Sequence, residues 1–235
     1  MGDFTTHGVN VVASGRREER GAELVQETQG LSGKVVFVRA DVTVAEDVEN
    51  LMKSTVSEFG RIDFAFNNAG GGLSIAWRES GEHPRLHEYT DEVWDHFSDT
   101  FLKSVWRCMK HEIEYMLPNR SVVIINNASV AGIRGGPLGA YAAMNHGVVG
   151  LTRTAKSQYA GEALRFNAVC PGWIDTEMTA DWKENEDFKS RLFSVQSVKR
   201  PGEPEEVAAL VRWMCSDEAA FVDGVAWAID GGLSA

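Results

Sequence analysis

Two hydroxyl side chains in this sequence have a spacing that suits chemistry on a carbonyl group. Ser129 follows an apolar run at 121–126, and Tyr141 opens an Ala-rich helical pattern that extends to Ala160, with a glycine-rich loop between them. A strand end and a helix start would bring both hydroxyls to one edge of a sheet. Two such groups can hydrogen-bond one carbonyl or alcohol oxygen, and the phenol can transfer a proton to it. A phenol has a pKa of about 10, so a nearby cation is needed to bring that pKa towards neutrality.

The rest of the chain alternates between strand and helix patterns. Strand patterns occur at 9–14, 34–40, 61–66, 121–126, 164–170 and 225–229, and helical patterns at 44–59, 91–117, 141–160 and 205–216. A continuous alternation of this kind over 235 residues, 43% of them apolar, predicts one domain spanning residues 1–235 with one substantial core.

The amino-acid composition argues against several kinds of binding partner. The net charge of -11 is spread over helical faces, which argues against nucleic acid because phosphate binding needs clustered Lys and Arg. Three widely separated cysteines predict free thiols rather than a metal site. No signal sequence precedes the first strand pattern, and no apolar run is long enough to span a membrane. We therefore expect a soluble cytoplasmic protein with no membrane partner.

Several short motifs extend the pattern around Ser129 and Tyr141. They follow the strands in order: Asp41-Val42, Asn67-Asn68-Ala69-Gly70, Pro171-Gly172-Trp173-Ile174-Asp175-Thr176, and the C-terminal Asp230-Gly231-Gly232. With these motifs the chain resembles the classical short-chain dehydrogenase/reductase family over nearly its whole length. The resemblance implies a Rossmann-like, doubly wound parallel α/β sheet in a single domain, and a nicotinamide cofactor.

Two catalytic positions depart from the family pattern. The family places a Lys one helical turn after the Tyr, where this chain has Asn145, and an Asn on the long helix, where it has Phe101. In the family the Lys lowers the tyrosine pKa and holds the nicotinamide ribose, and the Lys and Asn relay protons through a water. Asn145 can supply hydrogen bonds but no charge, so we expect Tyr141 to stay near its unperturbed pKa.

The residues at the predicted cofactor site also bear on the resemblance to the family. In the family the end of strand 9–14 meets the adenosine ribose, and Arg16 and Arg17 there match the version that prefers NADP, because Arg can pair a 2′-phosphate. A pair of surface arginines is the alternative interpretation. The resemblance also places Asp41 near the adenine and Asn68 near a ribose, and a purely structural role for the asparagines is equally open.

The family's first strand and its glycine-rich phosphate-binding turn have no counterpart, because only eight residues precede Val9. That strand lies in the middle of the family's sheet, so we expect a sheet whose first strand is missing or replaced. Strand 9–14 could close directly against the strand at 62–66, N-terminal residues or another subunit could fill the gap, or the natural chain could begin upstream.

The segment 173–200 corresponds to the family's substrate lid. Its apolar residues include Trp173, Met178 and Trp182, which with Phe101 are the predicted substrate pocket; ordinary packing is the alternative. The loop at 71–89 carries Trp77, His83 and His87, which could form a pocket rim or lie in solvent.

Three functional hypotheses follow. The first is a cofactor-independent isomerase, dehydratase or cyclase that acts on a small hydrophobic carbonyl compound through Ser129, Tyr141 and Asn145, with no cofactor expected, or NADP if any. The second is a residual NADP(H)-dependent ketone or alcohol oxidoreductase whose N-terminus is truncated in this sequence. The third is an inactive subunit that pairs with an active relative. We expect a homodimer or homotetramer, or a hetero-oligomer in the third case, with contacts through the helix at 91–117.

Overall fold

Six parallel strands organise the structure, a computed structural model that describes residues 2–70, 84–119 and 122–235. The strands are β1 (Val11–Gly15), β2 (Val35–Arg39), β3 (Phe64–Asn67), β4 (Val122–Asn127), β5 (Leu164–Pro171) and β6 (Ala226–Ile229). They form a two-stranded sheet, β1-β2, and a four-stranded sheet in the order β3-β4-β5-β6. Every predicted strand is therefore present, with bounds that differ by a few residues.

Helices connect successive strands, as parallel pairing requires. Those described are α1 (Gly2–Thr6), α2 (Glu18–Glu27), α3 (Ala45–Phe59), α4 (Asp91–Phe97), α5 (Ser104–Met116), α6 (Gly139–Gln158), α7 (Ala180–Lys183), α8 (Glu186–Val195) and α9 (Pro204–Cys215). The predicted end of α3 is confirmed: Gly60 has a left-handed φ of 80° and its N–H caps the helix on the Val56 carbonyl.

The core lies on both faces of the four-stranded sheet, because successive residues of β4 point in opposite directions. Val122 and Ile124 pack into the larger cluster with α3, α5 and α6, whereas Val123 and Ile125 pack into a second cluster with α9. All four are at most 4% exposed. The doubly wound α/β architecture is confirmed.

The two sheets are not joined by strand pairing within the described residues. β1 pairs with β2 from Val11↔Val35 onwards, and β3 pairs with β4 from Phe64↔Val123 onwards. Direct closure of 9–14 against 62–66, one of the three expected solutions, is therefore wrong. The N-terminal residues form the helix α1, whose Phe4 packs against the α9 cluster, so they do not supply a strand either.

The predicted continuous helix at 91–117 is also corrected. A π-helical segment, Ser98–Lys103, separates α4 from α5. A π turn accommodates an extra residue and frequently marks a functional site. Here it carries Phe101, the residue in place of the family's catalytic Asn.

The cysteines and the lengths of the helices can be compared with the expectations from composition. Cys108, Cys170 and Cys215 are all free, and burial is the first cause that raises the pKa of each thiol, to about 11 for Cys170 and about 12 for Cys215. No helix in the described ranges is both long and apolar enough to cross a bilayer.

Candidate active site

Ser129 sits where β4 ends and is fixed by its own turn. It caps the short 3-10 helix Val130–Gly132, and its Oγ accepts a hydrogen bond from the Ala131 N–H at 3.2 Å. The residue is buried. A serine hydroxyl that accepts from the backbone still has its own hydrogen to donate. Ser129 is therefore an oriented donor at the carboxyl edge of the four-stranded sheet.

Gly132 brings this turn against the helix that carries Tyr141. A Cβ added to Gly132 would lie 2.7 Å from the Asn145 carbonyl oxygen, closer than any side chain allows. Tyr141 stands in the first turn of α6, one helical turn before Asn145. The glycine therefore permits the close approach that places the phenol beside the Ser129 hydroxyl.

The environment of Tyr141 raises its pKa above the ordinary value. Burial is the main cause, and the neighbouring Ser129 and Asn145 side chains offset part of it. The expectation of an unperturbed pKa is wrong in this respect, because desolvation disfavours the phenolate and no cation among the described residues compensates. The phenol is therefore protonated over the whole neutral range.

Asn145 lies buried under the pair but does not replace the missing lysine. Its Nδ2 donates to the Tyr141 carbonyl at 2.8 Å, a hydrogen bond within one turn of the same helix. The side chain is 3% exposed. Its amide therefore stabilises the local turn.

Phe101 covers Tyr141 from the π segment. The two rings meet edge to face with centroids 5.1 Å apart, and Phe101 stacks on Phe97 at 5.6 Å. On its other side it approaches Gly70, where an added Cβ would lie 3.3 Å from the ring. The predicted pocket residue is thus an aromatic wall between the Asn67–Gly70 loop and Tyr141.

Beneath the site runs a buried polar network that sequence analysis missed. The Asn67 Nδ2 donates to Glu112 at 3.0 Å and to the Asn126 Oδ1 at 2.9 Å, and the Asn126 Nδ2 donates to the Thr152 hydroxyl at 2.9 Å. Burial raises the pKa of Glu112 to about 7, although the bond from Asn67 opposes the shift. The signal in the sequence was a Glu on the apolar face of α5 and an Asn at the end of a wholly apolar strand.

Asn68 occupies a more open position than Asn67. It is exposed, and its Oδ1 accepts from the Asn127 Nδ2 at 2.8 Å, which ties together the ends of β3 and β4. Asn67 thus has the structural role that was left open, whereas Asn68 remains accessible to a ligand at the sheet edge.

The predicted cofactor residues gather at the carboxyl ends of β1 and β2. Arg16 lies 3.9 Å from the Asp41 carboxylate, and Arg17 lies 3.4 Å from Glu177. Hydrogen bonds from Thr43 are the largest cause that lowers the pKa of Asp41, and Arg16 adds to it. Arg20, which was not predicted, joins the group through Glu177 at 2.6 Å.

This arginine cluster (Arg16, Arg17 and Arg20) fits the phosphate groups of a dinucleotide. Its guanidinium groups are more than half exposed, and they stand out in a chain with a net charge of -11. Planar, charged donors of this kind match phosphate oxygens in geometry and sign. By contrast, Asn145 and Phe101 offer no cation at the catalytic end.

The lid residues are divided by their exposure. Trp173 is buried and packs against Trp182, Phe188 and Phe193 at centroid distances of 5.7 to 6.2 Å, whereas Met178 is 56% exposed. Trp173 thus lies in the interior of the lid beside the half-buried Trp182, and Met178 is one of the accessible apolar residues of the lid, with Val195 and Val198. No contact tests their predicted role in a substrate pocket.

The predicted pocket rim is only partly described. Trp77 and His83 lie outside the described residues. His87 is exposed beside Glu88, with 4.0 Å between its Nε2 and the Glu88 Oε1.

Comparison with known proteins identifies the family. A family model described as Enoyl-(Acyl carrier protein) reductase matches residues 2–234. The chain is 37% identical to the A-factor type gamma-butyrolactone 1'-reductase (1S-forming) of Streptomyces virginiae over 99% of this chain and 89% of that protein. It is 36% identical to the 3-oxoacyl-[acyl-carrier-protein] reductase FabG of Thermotoga maritima over 98% of this chain and 89% of that protein.

Comparison with solved structures gives similar proteins of the same kind. An actinorhodin polyketide ketoreductase variant crystallised with NADPH superposes with a TM-score of 0.87 at 28% identity, covering 99% of this chain and 90% of that one. A short-chain type dehydrogenase/reductase from Mycobacterium ulcerans gives a TM-score of 0.91 at 23% identity, covering 99% of this chain and 83% of that one, which shows the shared fold.

These similarities overturn the first functional hypothesis. A cofactor-independent isomerase, dehydratase or cyclase is wrong, because the similar proteins are named as reductases and one was solved with NADPH. The hypothesis overvalued the loss of one charge at Asn145 and undervalued the retained Ser129 and Tyr141 pair. The expectation of no cofactor falls with it. With a match over residues 2–234 and relatives above 35% identity, the chain belongs to the short-chain dehydrogenase/reductase family.

Proposed function

We propose that the protein is an NADP(H)-dependent reductase that converts the carbonyl group of a small hydrophobic compound to an alcohol. The observation that carries the proposal is the meeting of Ser129 and a protonated Tyr141 at the end of β4. The names of the two curated relatives, both reductases, support the same class of reaction.

The protonated state of Tyr141 suits a proton donor in carbonyl reduction. Reduction of a carbonyl needs a proton donor, and the buried phenol carries its proton throughout the neutral range. Oxidation of an alcohol needs the phenolate, which burial disfavours and which no lysine stabilises here. With Asn145 in the lysine position, the phenol stays protonated but is a weaker acid than it would be beside a cation, so turnover is slower in both directions than with a lysine.

Each side chain of the pair has a defined task. The Ser129 hydroxyl, fixed by the Ala131 N–H, donates a hydrogen bond to the substrate oxygen, and Tyr141 donates its proton to the same atom. The nicotinamide cofactor, when bound, supplies the hydride to the carbonyl carbon. Phe101 shields one side of the phenol from water, which strengthens the hydrogen bonds that form there.

Selection of NADP(H) rests on the arginine cluster. Arg16 and Arg17 follow β1, where the 2′-phosphate of NADP would meet them, and both side chains are largely exposed. We propose that these residues, with Asp41 and Asn68, hold the cofactor.

The apolar residues of the lid favour a hydrophobic substrate. Met178 is exposed on the turn that follows Trp173, and the aromatic interior of the lid holds that turn in place. We propose that Phe101 and Met178 line the site, with Trp173 and Trp182 supporting it from behind.

The exposed Trp106 on α5 supports self-association. This indole is 48% exposed on a helix whose other face is buried in the core. We propose a homo-oligomer that covers it, and Trp106→Asp should shift the sedimentation of the protein towards the monomer.

The proposal is tested by NADPH consumption with a panel of hydrophobic ketones. Tyr141→Phe and Ser129→Ala should each lower kcat by about 10²- to 10⁴-fold, the usual contribution of a proton donor or oxyanion donor. Tyr159→Phe is the matched control, because Tyr159 packs on Phe166 at 5.8 Å, away from the catalytic pair. If the parent shows no turnover over the panel, or if all three variants retain it, the reductase proposal fails and the inactive-subunit alternative gains support.

A further inference from the structure

Glu177 belongs to the lid but binds the arginine cluster. Its Oε1 accepts from Arg20 at 2.6 Å and its Oε2 from Arg17 at 3.4 Å, across 157 and 160 positions of the sequence. Arg17 caps α2, and Arg20 lies in the first turn of that helix. These ion pairs therefore connect the lid, which follows β5 of the four-stranded sheet, to the helix that follows β1 of the two-stranded sheet.

The turn that carries Glu177 is well fixed. Glu177 begins the short helix Glu177–Thr179, which has reciprocal caps between Thr176 and Thr179. The Thr179 hydroxyl also donates to the Ile174 carbonyl at 2.6 Å. The carboxylate is thus presented from an ordered turn while its own side chain remains 67% exposed.

The other carboxylates of the cluster come from the two-stranded sheet region. Asp41 follows β2, and Glu23 lies on α2, 2.9 Å from Arg20. Glu177 is therefore, among the described partners of these arginines, the one that reaches them from the lid. It also occupies the outward-facing guanidinium groups that a phosphate entering from solvent would need.

We propose that Glu177 competes with the phosphomonoester of the nucleotide for Arg17 and Arg20, so that a ligand with this phosphate displaces Glu177 and releases the lid from α2. This inference rests on the proposed NADP(H) site and adds a device that regulates it. An exposed ion pair contributes little to stability, so the carboxylate is easily displaced. A phosphate carries nearly twice its charge and three acceptor oxygens.

Competition with Glu177 distinguishes nucleotides that carry a 2′-phosphate from those that do not. A ligand with the 2′-phosphate engages both guanidinium groups and removes Glu177, whereas a ligand without it leaves the lid attached to α2. Glu177 therefore weakens the binding of ligands that carry the 2′-phosphate, and its removal should favour those ligands selectively.

The test uses adenosine 2′,5′-bisphosphate and 5′-AMP, titrated calorimetrically at low ionic strength against the full chain. Glu177→Gln should tighten bisphosphate binding by about 3- to 10-fold and leave AMP binding unchanged, and high salt should reduce the gain. Glu186→Gln is the matched control: it removes the same charge from the lid, but Glu186 pairs with Lys189.

The outcomes separate this inference from the function it rests on. If the parent binds the bisphosphate but Glu177→Gln binds it no better than Glu186→Gln does, competition is refuted while the NADP(H) site stands. If neither the parent nor Glu177→Gln binds the bisphosphate, the site itself is refuted and the competition with it.

Discussion

The carboxyl edges of the two sheets are built on different principles. At the four-stranded sheet, Ser129 and Tyr141 rest on a buried glycine contact and a buried polar network. At the two-stranded sheet, the arginine cluster is held by exposed ion pairs. Buried groups have one satisfied arrangement, because a displaced partner leaves an unpaired polar atom, whereas exposed ions exchange with water at little cost. The first edge is therefore organised before the substrate arrives, and the second can be rearranged by a ligand.

The largest expected effect comes from restoring the charge at the buried edge. Asn145→Lys combined with Phe101→Asn should raise alcohol oxidation by about 10²- to 10³-fold, because the cation lowers the raised pKa of Tyr141 and the Asn restores the relay. The pH profile is the sharper measurement. The parent's oxidation rate should still be rising at alkaline pH, whereas the double variant should reach its plateau at a lower pH. Coincident pH profiles would show that Tyr141 is not the titrating group.

The buried carboxyl of Glu112 gives the next effect. Its pKa rises from 4.5 in the unfolded chain to about 7 when folded, so the folded state holds an extra proton between these values. The contribution of Glu112 to stability is then highest below about pH 4.5, falls as the pH rises towards 7 and levels off above it, a loss of roughly 3 kcal/mol.

Glu112→Gln removes this titration. Urea unfolding of the variant should show a stability close to that of the parent at low pH and greater by about 3 kcal/mol above pH 7. Glu114→Gln on the exposed face of α5 is the control and should leave the pH dependence unchanged. A parallel pH dependence in the parent and in Glu112→Gln would contradict the buried assignment.

Gly132 tests the close contact behind the catalytic pair. Gly132→Ala places a methyl group against the Asn145 carbonyl, so we expect a loss of about 1–3 kcal/mol in unfolding free energy and reduced turnover. Gly150→Ala in α6, the helix that carries Asn145, meets nothing within 4 Å and should be neutral or stabilising by up to about 1 kcal/mol. Similar melting temperatures for the two variants would remove the steric argument.

Changes in the exposed arginine cluster should have the smallest effect on stability. Arg17→Gln with Arg20→Gln should change the unfolding free energy by less than about 1 kcal/mol, and added salt should abolish even that difference. The same pair of changes should nevertheless weaken the bisphosphate binding described above. A large stability loss would mean that these ion pairs are structural, and the contrast between the two edges would disappear.

Sequence patterns predicted the strands and most helices, because apolar periodicity reports which face of an element is buried. They failed at Ser98–Lys103, where a π turn interrupts a pattern that looks continuous, since one inserted residue barely changes helical spacing. They also paired Ser129 with Tyr141 correctly but missed Glu112 and Glu177. Each of these carboxylates acts through partners at least 45 positions away.

The sequence by itself determined the α/β alternation, the family and the two hydroxyls that meet at the sheet edge, because these depend on residue types at short spacings. Only the tertiary structure decided that β1 and β3 do not pair, that burial raises the pKa of Tyr141, and that Glu177 reaches the arginine cluster. Desolvation and ion pairing depend on distances between segments that are far apart in the chain. No local pattern encodes those distances until packing brings the segments together.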